Sequence, residues 1–276
     1  MMYLHATSHV LNPLLDIKAY RTLLKPLTNI NLRRSSKFNI LAVYGALLCM
    51  NEVKSSQQFG VYVATEYGPI MDVHNVLNTV NMDDSIIMPF DFLNINSNNV
   101  SFYVSKALDA FGKNMVLTSE EVSFEKALQL ALFDLETKDV QDVLVGAVDE
   151  SLEQIPHYAQ YTSDVLKQPS CDGSFWLYGN LKKEHAVAQI VCIKEYENVE
   201  CFLKEVNLNG TTVSCNQFAA CNEALKKAAQ TVLTPKAFFG CDGAVTFFEL
   251  LEYKGEVYHI AQDKHGKLIV ITLRVF

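Results

Sequence analysis

The stretch Asn114–Glu150, which reads NMVLTSEEVSFEKALQLALFDLETKDVQDVLVGAVDE, predicts the fold of this chain. Residues 115–117 favour a short strand, residues 121–136 a helix, and residues 143–147 a second strand. A strand, a helix and a strand with short connections form a βαβ unit, whose two strands lie parallel in a buried sheet. Because the helix is apolar on nearly every face, we expect it to pack between two layers.

The composition is that of a folded protein with a large core. The chain has 276 residues, of which 49% are hydrophobic and 20% charged. Its formal net charge of −8 argues against a nucleic-acid partner, which requires a basic surface. The seven cysteines show neither a CxxC pair nor the spacing of metal ligands, which favours reduced thiols. We therefore expect no metal and no other cofactor.

The sequence also predicts a cytoplasmic protein. Its first residues, MMYLHATSHVLNPLLD, lack the basic region that begins a signal peptide. The longest apolar run, residues 40–50, is about half of the roughly 20 residues that a membrane-spanning helix requires. We expect no membrane span.

The rest of the chain alternates helical and strand patterns. Residues 1–35 hold short apolar patches interrupted by Pro13 and Pro26, and we expect extended connections there. We expect an asparagine-rich loop at 90–99. Helices are predicted at 37–50, 70–80, 100–111, 216–232 and 243–251. Strands are predicted at 60–65, 174–178, 186–194, 257–262 and 268–275. We expect an N-terminal half, residues 1–195, and a smaller C-terminal half, residues 196–276.

Several segments, in order along the chain, resemble a β-ketoacyl synthase of the thiolase fold. These segments are Arg34–Phe38 (RSSKF) with the helix after it, GVYVATEYGP at 60–69, MPFDFLNINSNNVSFYVSKA at 88–107, SFEKALQLALFDLE with DVLVGAVDE at 123–150, FFGCDGAVTFFELL at 238–251 and LIVITLRVF at 268–276. The sequence most resembles short, chain-length-factor-like proteins associated with aryl polyene and related type II polyketide clusters. The resemblance implies an α/β, thiolase-like layered αβαβα sandwich. Its second half is abbreviated between about residues 200 and 235.

The positions that carry chemistry in such synthases are degenerate here. The family places a reactive cysteine at the start of a helix, where the helix dipole lowers the pKa of the thiol. This chain has Glu120, Glu121 and Val122 there, and none is a thiol. The family histidine that follows a glycine is replaced by Cys241, with Asp242 next. The resemblance therefore implies a catalytically inactive ketosynthase-like subunit.

Two other functions stay open. A decarboxylase or acyltransferase could use Glu120 or Glu121, although a carboxylate at a helix N-terminus should be ionised and a poor nucleophile. The structural alternative is that Thr118-x-x-Glu121 forms a capping box. A scaffold that docks an acidic carrier protein would need an exposed basic patch, such as Arg33, Arg34 and Lys37. Ser119 and Ser123 lack the G-x-S-x-G motif of a serine hydrolase.

The resemblance also implies partners. We expect a heterodimer with an active β-ketoacyl synthase in fatty acid or aryl polyene-type polyketide biosynthesis, with acyl carrier protein as an indirect partner. The interface strand would be Asn114, Met115, Val116, Leu117 and Thr118, because an edge strand needs cover that a partner can provide. Near the helix entry, Phe102, Phe111 and Phe124 are candidate walls of the partner's acyl tunnel.

Overall fold

A computed structural model of the chain describes residues 1–53, 55, 57–82, 85–158, 169–237 and 240–276. These residues form ten strands and ten helices. The strands are β1 (Met2–Asn12), β2 (Gly60–Ala64), β3 (Asn114–Leu117), β4 (Asp142–Asp149), β5 (Asp172–Asn180), β6 (Ala188–Tyr196), β7 (Thr212–Cys215), β8 (Thr231–Leu233), β9 (Gly255–Gln262) and β10 (Leu268–Val275). The helices are α1 (Ile17–Leu24), α2 (Lys37–Met50), α3 (Ile70–Asn81), α4 (Pro89–Asn94), α5 (Asn99–Ala107), α6 (Ser123–Glu136), α7 (Val199–Glu205), α8 (Gln217–Ala220), α9 (Glu223–Ala228) and α10 (Asp242–Leu250).

The strand order repeats. Neighbouring strands follow the order β3-β2-β4-β5-β1-β6-β10-β9-β7-β8. Read from its other end, the second group of five, β8-β7-β9-β10-β6, has the arrangement of the first. When the strands of each group are counted in chain order, the second is parallel to the third and fourth, and the fifth is antiparallel to the fourth and first. A short antiparallel contact between residues 2–4 and residues 188–190 joins the two groups.

The two groups of strands enclose a central helical layer. One hydrophobic cluster joins α6 and α10 to inner-facing residues of both groups, and Phe124 of α6 meets Phe247 of α10 edge to face at 5.3 Å. Helices α1, α2 and α5 cover the outer face of the first group. Helices α7, α8 and α9 cover the outer face of the second. The predicted α/β sandwich of five layers and the buried position of α6 are confirmed.

The second group of strands is built with much less chain. Between β2 and β3, residues 65–113 form three helices, whereas the equivalent connection between β7 and β8 is only residues 216–230. Strand β8 has 3 residues. The shortened connection thus lies between about residues 200 and 235, the region in which the sequence predicted an abbreviated second half.

The prediction of extended connections for residues 1–35 is wrong. Residues 2–12 form β1, which lies in the interior of the sheet between β5 and β6. Pro13 follows the end of this strand, and Asp16 then caps α1 by accepting a hydrogen bond from the backbone N–H of Lys18 at 2.8 Å. Pro13 thus follows the end of β1 and precedes α1.

Two further predictions need correction. Residues 216–232 do not form one helix, because Asn222 caps a new helix by accepting from the backbone N–H groups of Ala224 and Leu225. The segment contains α8, α9 and the start of β8. The loop expected at 90–99 contains most of α4, which begins at Pro89, a residue suited to the first helical position. Within the described residues, no helix is both long and apolar enough to cross a bilayer.

Trp176 fixes the packing of α2 against β4 and β5. Its indole is fully buried and donates to Ser174 Oγ at 2.8 Å. A Cβ added at Gly146 would lie 2.5 Å from the Trp176 ring, and one at Gly45 would lie 2.7 Å from it. Both glycines are therefore required by close approach of the indole.

We predict that Gly146→Ala lowers the free energy of unfolding by about 1–3 kcal/mol, because the added methyl forces a buried indole to move in a close-packed core. Urea denaturation measures the change. The exposed control Glu184→Gln should change it by less than about 0.5 kcal/mol. Equal stabilities of the two variants would show that the indole is not constrained.

Candidate functional site

The predicted nucleophile position, residues 120–122, lies in a sharp turn between β3 and α6. Glu120 has a φ of +50°, in the left-handed region that is uncommon for residues other than glycine. Ser123, the first residue of α6, holds this turn through its side chain. Its Oγ donates to the carbonyl of Glu120 at 2.7 Å and accepts from the backbone N–H of Ser119 at 2.8 Å. The turn therefore has the strained backbone of a nucleophile elbow.

The predicted capping box of Thr118 and Glu121 is wrong. Val122 is the N-cap residue of α6, and its side chain makes no capping hydrogen bond. The left-handed turn at Glu120 ends the extended chain before the helix begins. Thr118 lies four residues before this N-cap and is therefore not the capping residue.

The three residues at the degenerate position point to different surroundings. Glu120 is 59% exposed and pairs with Lys264 Nζ at 2.6 Å. Glu121 is half-buried, and its Oε2 has no hydrogen-bond partner. Val122 packs against Ala261 and Ile269. A carboxylate held by an ammonium group at the surface is a weak nucleophile, so the geometry gives Glu120 no support as a catalytic group.

The predicted histidine position, Cys241 and Asp242, is buried at the start of α10. Asp242 accepts a hydrogen bond from the backbone N–H of Gln217 at 2.9 Å through Oδ2, while its Oδ1 has no partner. Burial raises the pKa of both Cys241 and Asp242 well above their usual values. Cys241 is thus a protonated, inert thiol rather than a relocated nucleophile. The preceding residues 238 and 239 of the FFGCDGAV stretch lie outside the described residues.

A buried hydrogen-bonded triad that the sequence analysis missed lies beside these positions. His259 Nε2 is 2.7 Å from Glu125 Oε1, and His259 Nδ1 is 2.8 Å from Ser214 Oγ. All three side chains are at most 1% exposed. Glu125 belongs to α6, Ser214 to β7 and His259 to β9. The triad therefore ties the first group of strands to the second, and its burial leaves no access for a substrate.

Glycine at position 243 makes room for this triad. A Cβ at Gly243 would lie 2.2 Å from Glu125 Oε1 and 3.4 Å from His259 Nε2. A signal for His259 was present in the sequence. Residues 257, 259 and 261 share one face of a strand, and the first and last are the apolar Val257 and Ala261, so the middle one should be buried.

Asp149, at the end of β4, organises a second buried group that ties β4 to the turn after β2. It accepts hydrogen bonds from Thr65 Oγ1 at 2.6 Å, from the backbone N–H of Tyr67 at 3.0 Å and from that of Glu66 at 3.1 Å. A Cβ at Gly240 would lie 2.3 Å from Asp149 Oδ2. Burial, and then the charge of Asp149, raises the pKa of Glu66 to about 9.

Together these side chains form an acid cluster, which we define as Glu66, Glu121, Glu125, Asp149 and Asp242. The cluster lies where the carboxyl ends of β2 and β4 meet the N-termini of α6 and α10. Charge interactions link Glu66 to Asp149, Asp242 and Glu121, and link Asp242 to Glu125. Within the described residues, no group of three or more histidine, cysteine, aspartate or glutamate side chains could hold a metal ion. The cluster can hold protons, but it offers no activated nucleophile.

The predicted interface strand and aromatic residues divide between surface and core. Strand β3 pairs with β2 and ends the order of strands, so it is an edge strand, and Thr118 follows it. Phe102 and Phe111 are exposed, whereas Phe124 is fully buried. Phe124 is therefore a core residue in this chain.

No protein-family model matches the sequence, and no curated protein matches it. Solved structures do match the fold. The ishigamide ketosynthase/chain length factor matches with a TM-score of 0.74 and 13% identity over 100% of this chain and 99% of that chain. A structure of the ketosynthase ApeO in complex with its chain length factor ApeC from Xenorhabdus doucetiae gives 0.62 and 13% over 99% and 98%. The 3-oxoacyl-[acyl-carrier-protein] synthase III of Aquifex aeolicus gives 0.62 and 11% over 99% and 100%. The chain therefore has the thiolase-like fold of ketosynthases and chain length factors, as its sequence predicted.

We predict that His259→Ala lowers the free energy of unfolding by about 3–5 kcal/mol, because it leaves the buried carboxylate of Glu125 without its partner. Chemical denaturation measures the loss. The matched control is His265→Ala in the exposed turn between β9 and β10, which should cost less than about 0.5 kcal/mol. Similar losses in the two variants would contradict a structural role for the triad.

We also predict that stability falls as the pH rises from about 5 to about 9. The pKa of Glu66 is raised from 4.5 to about 9, so the folded chain binds more protons than the unfolded chain in this range. Unfolding releases those protons and is favoured at higher pH. Glu66→Gln mimics the protonated carboxyl and should flatten the profile of unfolding free energy against pH. Parallel profiles for the two proteins would rule out titration of Glu66.

Proposed function

We propose that this chain is a catalytically inactive, chain-length-factor-like subunit that forms a heterodimer with an active β-ketoacyl synthase. The elbow geometry carries this proposal. A turn built like a nucleophile elbow holds Glu120, which is exposed and paired with Lys264, and the nearby Cys241 is buried and protonated. Carbon–carbon bond formation would require a thiolate at this turn. The chain thus keeps the architecture without the reactive group.

Pairing with a synthase is supported by what the structures with a similar fold are described as. Two of the matching structures are described as a ketosynthase/chain length factor and as a ketosynthase in complex with its chain length factor. A third is described as a type II acyl-carrier protein in complex with its ketosynthase. By this proposal, the chain acts in fatty acid or aryl polyene-type polyketide biosynthesis in the cytoplasm and meets carrier protein indirectly.

The segment before β3 carries many exposed apolar side chains, which supports a partner surface there. The described residues include nineteen exposed large hydrophobic side chains, of which ten lie between residues 77 and 111. We define these ten as the apolar face: Leu77, Val80, Met82, Ile86, Met88, Phe90, Phe92, Leu93, Phe102 and Phe111. Exposed apolar side chains concentrated in this way mark interaction surfaces. The edge of β3 would add backbone hydrogen bonds across the interface.

By the same proposal, Phe102 and Phe111 contribute to the wall of the partner's acyl tunnel and limit product length. Both belong to α5 or the turn after it, directly before β3. The division into halves at residues 195 and 196 is kept as part of this proposal. It is supported by the repeated strand order, although β6, Ala188–Tyr196, groups with the strands of the second half.

The test is co-expression of this chain with an active β-ketoacyl synthase, followed by size exclusion and a condensation assay. We predict a one-to-one complex for the natural chain and at least tenfold weaker association for Phe102→Asp. A charge placed in a desolvated apolar contact costs several kcal/mol, which corresponds to such a loss.

The matched control is Phe133→Asp, since Phe133 on α6 is 60% exposed and Phe102 is 54% exposed. The control should leave the complex intact. A chain that forms only a homodimer and condenses acyl units by itself would overturn the proposal. Complex formation by Phe102→Asp with unchanged affinity would remove α5 from the interface but not the inactive elbow.

A carrier-docking scaffold is the second candidate, and one observation favours it. Arg33 and Arg34 are exposed, and the Arg34 guanidinium lies 4.4 Å from the centre of the Phe90 ring. This gives an acidic protein a local basic surface for an acidic partner. Lys37 does not belong to that surface, because it is only 12% exposed and pairs with Asp172 at 2.7 Å.

A further inference from the structure

A cavity of about 460 Å³ opens beside the N-termini of α1, α2 and α3, apart from the acid cluster. Its apolar wall is formed by Leu14, Leu15, Ile17 and Met71. Its polar wall includes Ser35, Lys37, Asp72, Asn75, Glu150 and Gln154. A concave site with an apolar wall and a few polar groups is the usual form of a small-molecule site.

The one ammonium group of this wall is already neutralised. Lys37 Nζ lies 2.7 Å from Asp172 Oδ1, and Asp172 is fully buried. The same carboxylate accepts from Tyr20 OH at 3.0 Å and from the backbone N–H of Ser151 at 2.8 Å. Asp172 is thus a structural anchor behind the cavity wall. Asp16, Asp72 and Glu150 are the carboxyl groups that line the cavity, and the charge of Lys37 acts on Glu150.

Two buried oxygens of the wall have no hydrogen-bond partner. Glu150 is 2% exposed, and its Oε1 accepts from the backbone N–H of Met71 at 3.0 Å, but its Oε2 has no partner. Ser35 is also buried, and its Oγ has no partner. Buried polar atoms without a partner are rare and cost about 1–3 kcal/mol each. Both atoms belong to side chains that line the same cavity.

The proton equilibria of the cavity fit a cationic ligand. Burial raises the pKa of Glu150 to about 8, although the charge of Lys37 opposes this shift. Burial and the charge of Asp91 raise the pKa of Asp72 to about 6. A positive charge placed between these groups would favour their ionised forms.

We propose that this cavity binds a small organic cation through its primary ammonium group. The ammonium donates to Glu150 Oε2 and Ser35 Oγ, with Asp72 as a second carboxylate at the cavity. The hydrocarbon part of the ligand packs against Leu14, Ile17 and Met71. A metal ion is a poor alternative, because no metal-holding cluster of side chains lies in the described part of the chain. This site is independent of the proposed synthase partnership.

The experiment is isothermal titration calorimetry of the chain with n-butylammonium at pH 8, with 1-butanol as a probe of the same length without charge. We expect saturable binding of one butylammonium per chain and no saturable binding of butanol. Glu150→Gln keeps the size of the side chain and removes its charge, so binding should weaken at least tenfold. Asp72→Asn removes the charge of a half-buried side chain and leaves the buried Glu150 unchanged. It should weaken binding several-fold.

The control Glu184→Gln removes an exposed carboxylate outside this cavity and should bind like the natural chain. If Glu150→Gln and Asp72→Asn both bound butylammonium as tightly as the natural chain, the proposal would be overturned, because the ligand would then adsorb elsewhere on the acidic surface. Equal uptake of butanol would also overturn it, because only the apolar wall would then matter. Absence of saturable binding by the natural chain would show that water satisfies Glu150 and Ser35.

Discussion

The hydrogen bonds of His259 to Glu125 and Ser214 are the constraint on which the centre of this molecule depends. They connect the first turn of α6 to two strands of the other group across the middle layer. A buried carboxylate is tolerated only when it is paired and hydrogen-bonded, so Glu125 requires the imidazole at this place. Gly243 leaves the room for this contact, and thereby sets how closely α10 approaches α6. Residues far apart in the sequence, such as Glu125, Gly243 and His259, are thus all needed for one polar contact in an apolar layer.

The same region supports the proposal that this chain keeps a ketosynthase-like fold without condensation chemistry. The start of α6, the predicted nucleophile position, holds packing residues and acids. Cys241 is kept protonated by its burial among acids, and Glu120 is directed to the surface by the left-handed turn. Burial, and after it the charges of neighbouring acids, raises the pKa values of Glu66 and Asp242. A protonated carboxyl needs no charge partner, so these two acids are tolerated in a packed layer.

Sequence reasoning captured the elements whose signals are local and periodic. The apolar pattern of residues 123–136 and the strand runs around it suffice to predict the βαβ unit, and the terminal hairpin follows from β-rich runs around a turn. It failed at β1, where prolines suggested connections although the strand lies in the interior of the sheet. It also failed to assemble the site. Thr65, Glu125, Asp149, Ser214 and His259 come from four elements and the turn after β2, and only the tertiary fold places them side by side.

Comparison of the two halves shows that the region between residues 70 and 118 is much longer than its equivalent in the second half. The second half makes the equivalent connection with residues 216–230, so the long first connection is not needed to complete a five-stranded unit. The additional chain instead carries exposed phenylalanines, methionines and leucines beside an edge strand. Such side chains lower the solubility of a lone chain and gain free energy only when another surface covers them. The predicted nucleophile position directly follows this strand. By the proposed function, a subunit that presents this surface to a partner needs the fold that supports the surface but no nucleophile of its own.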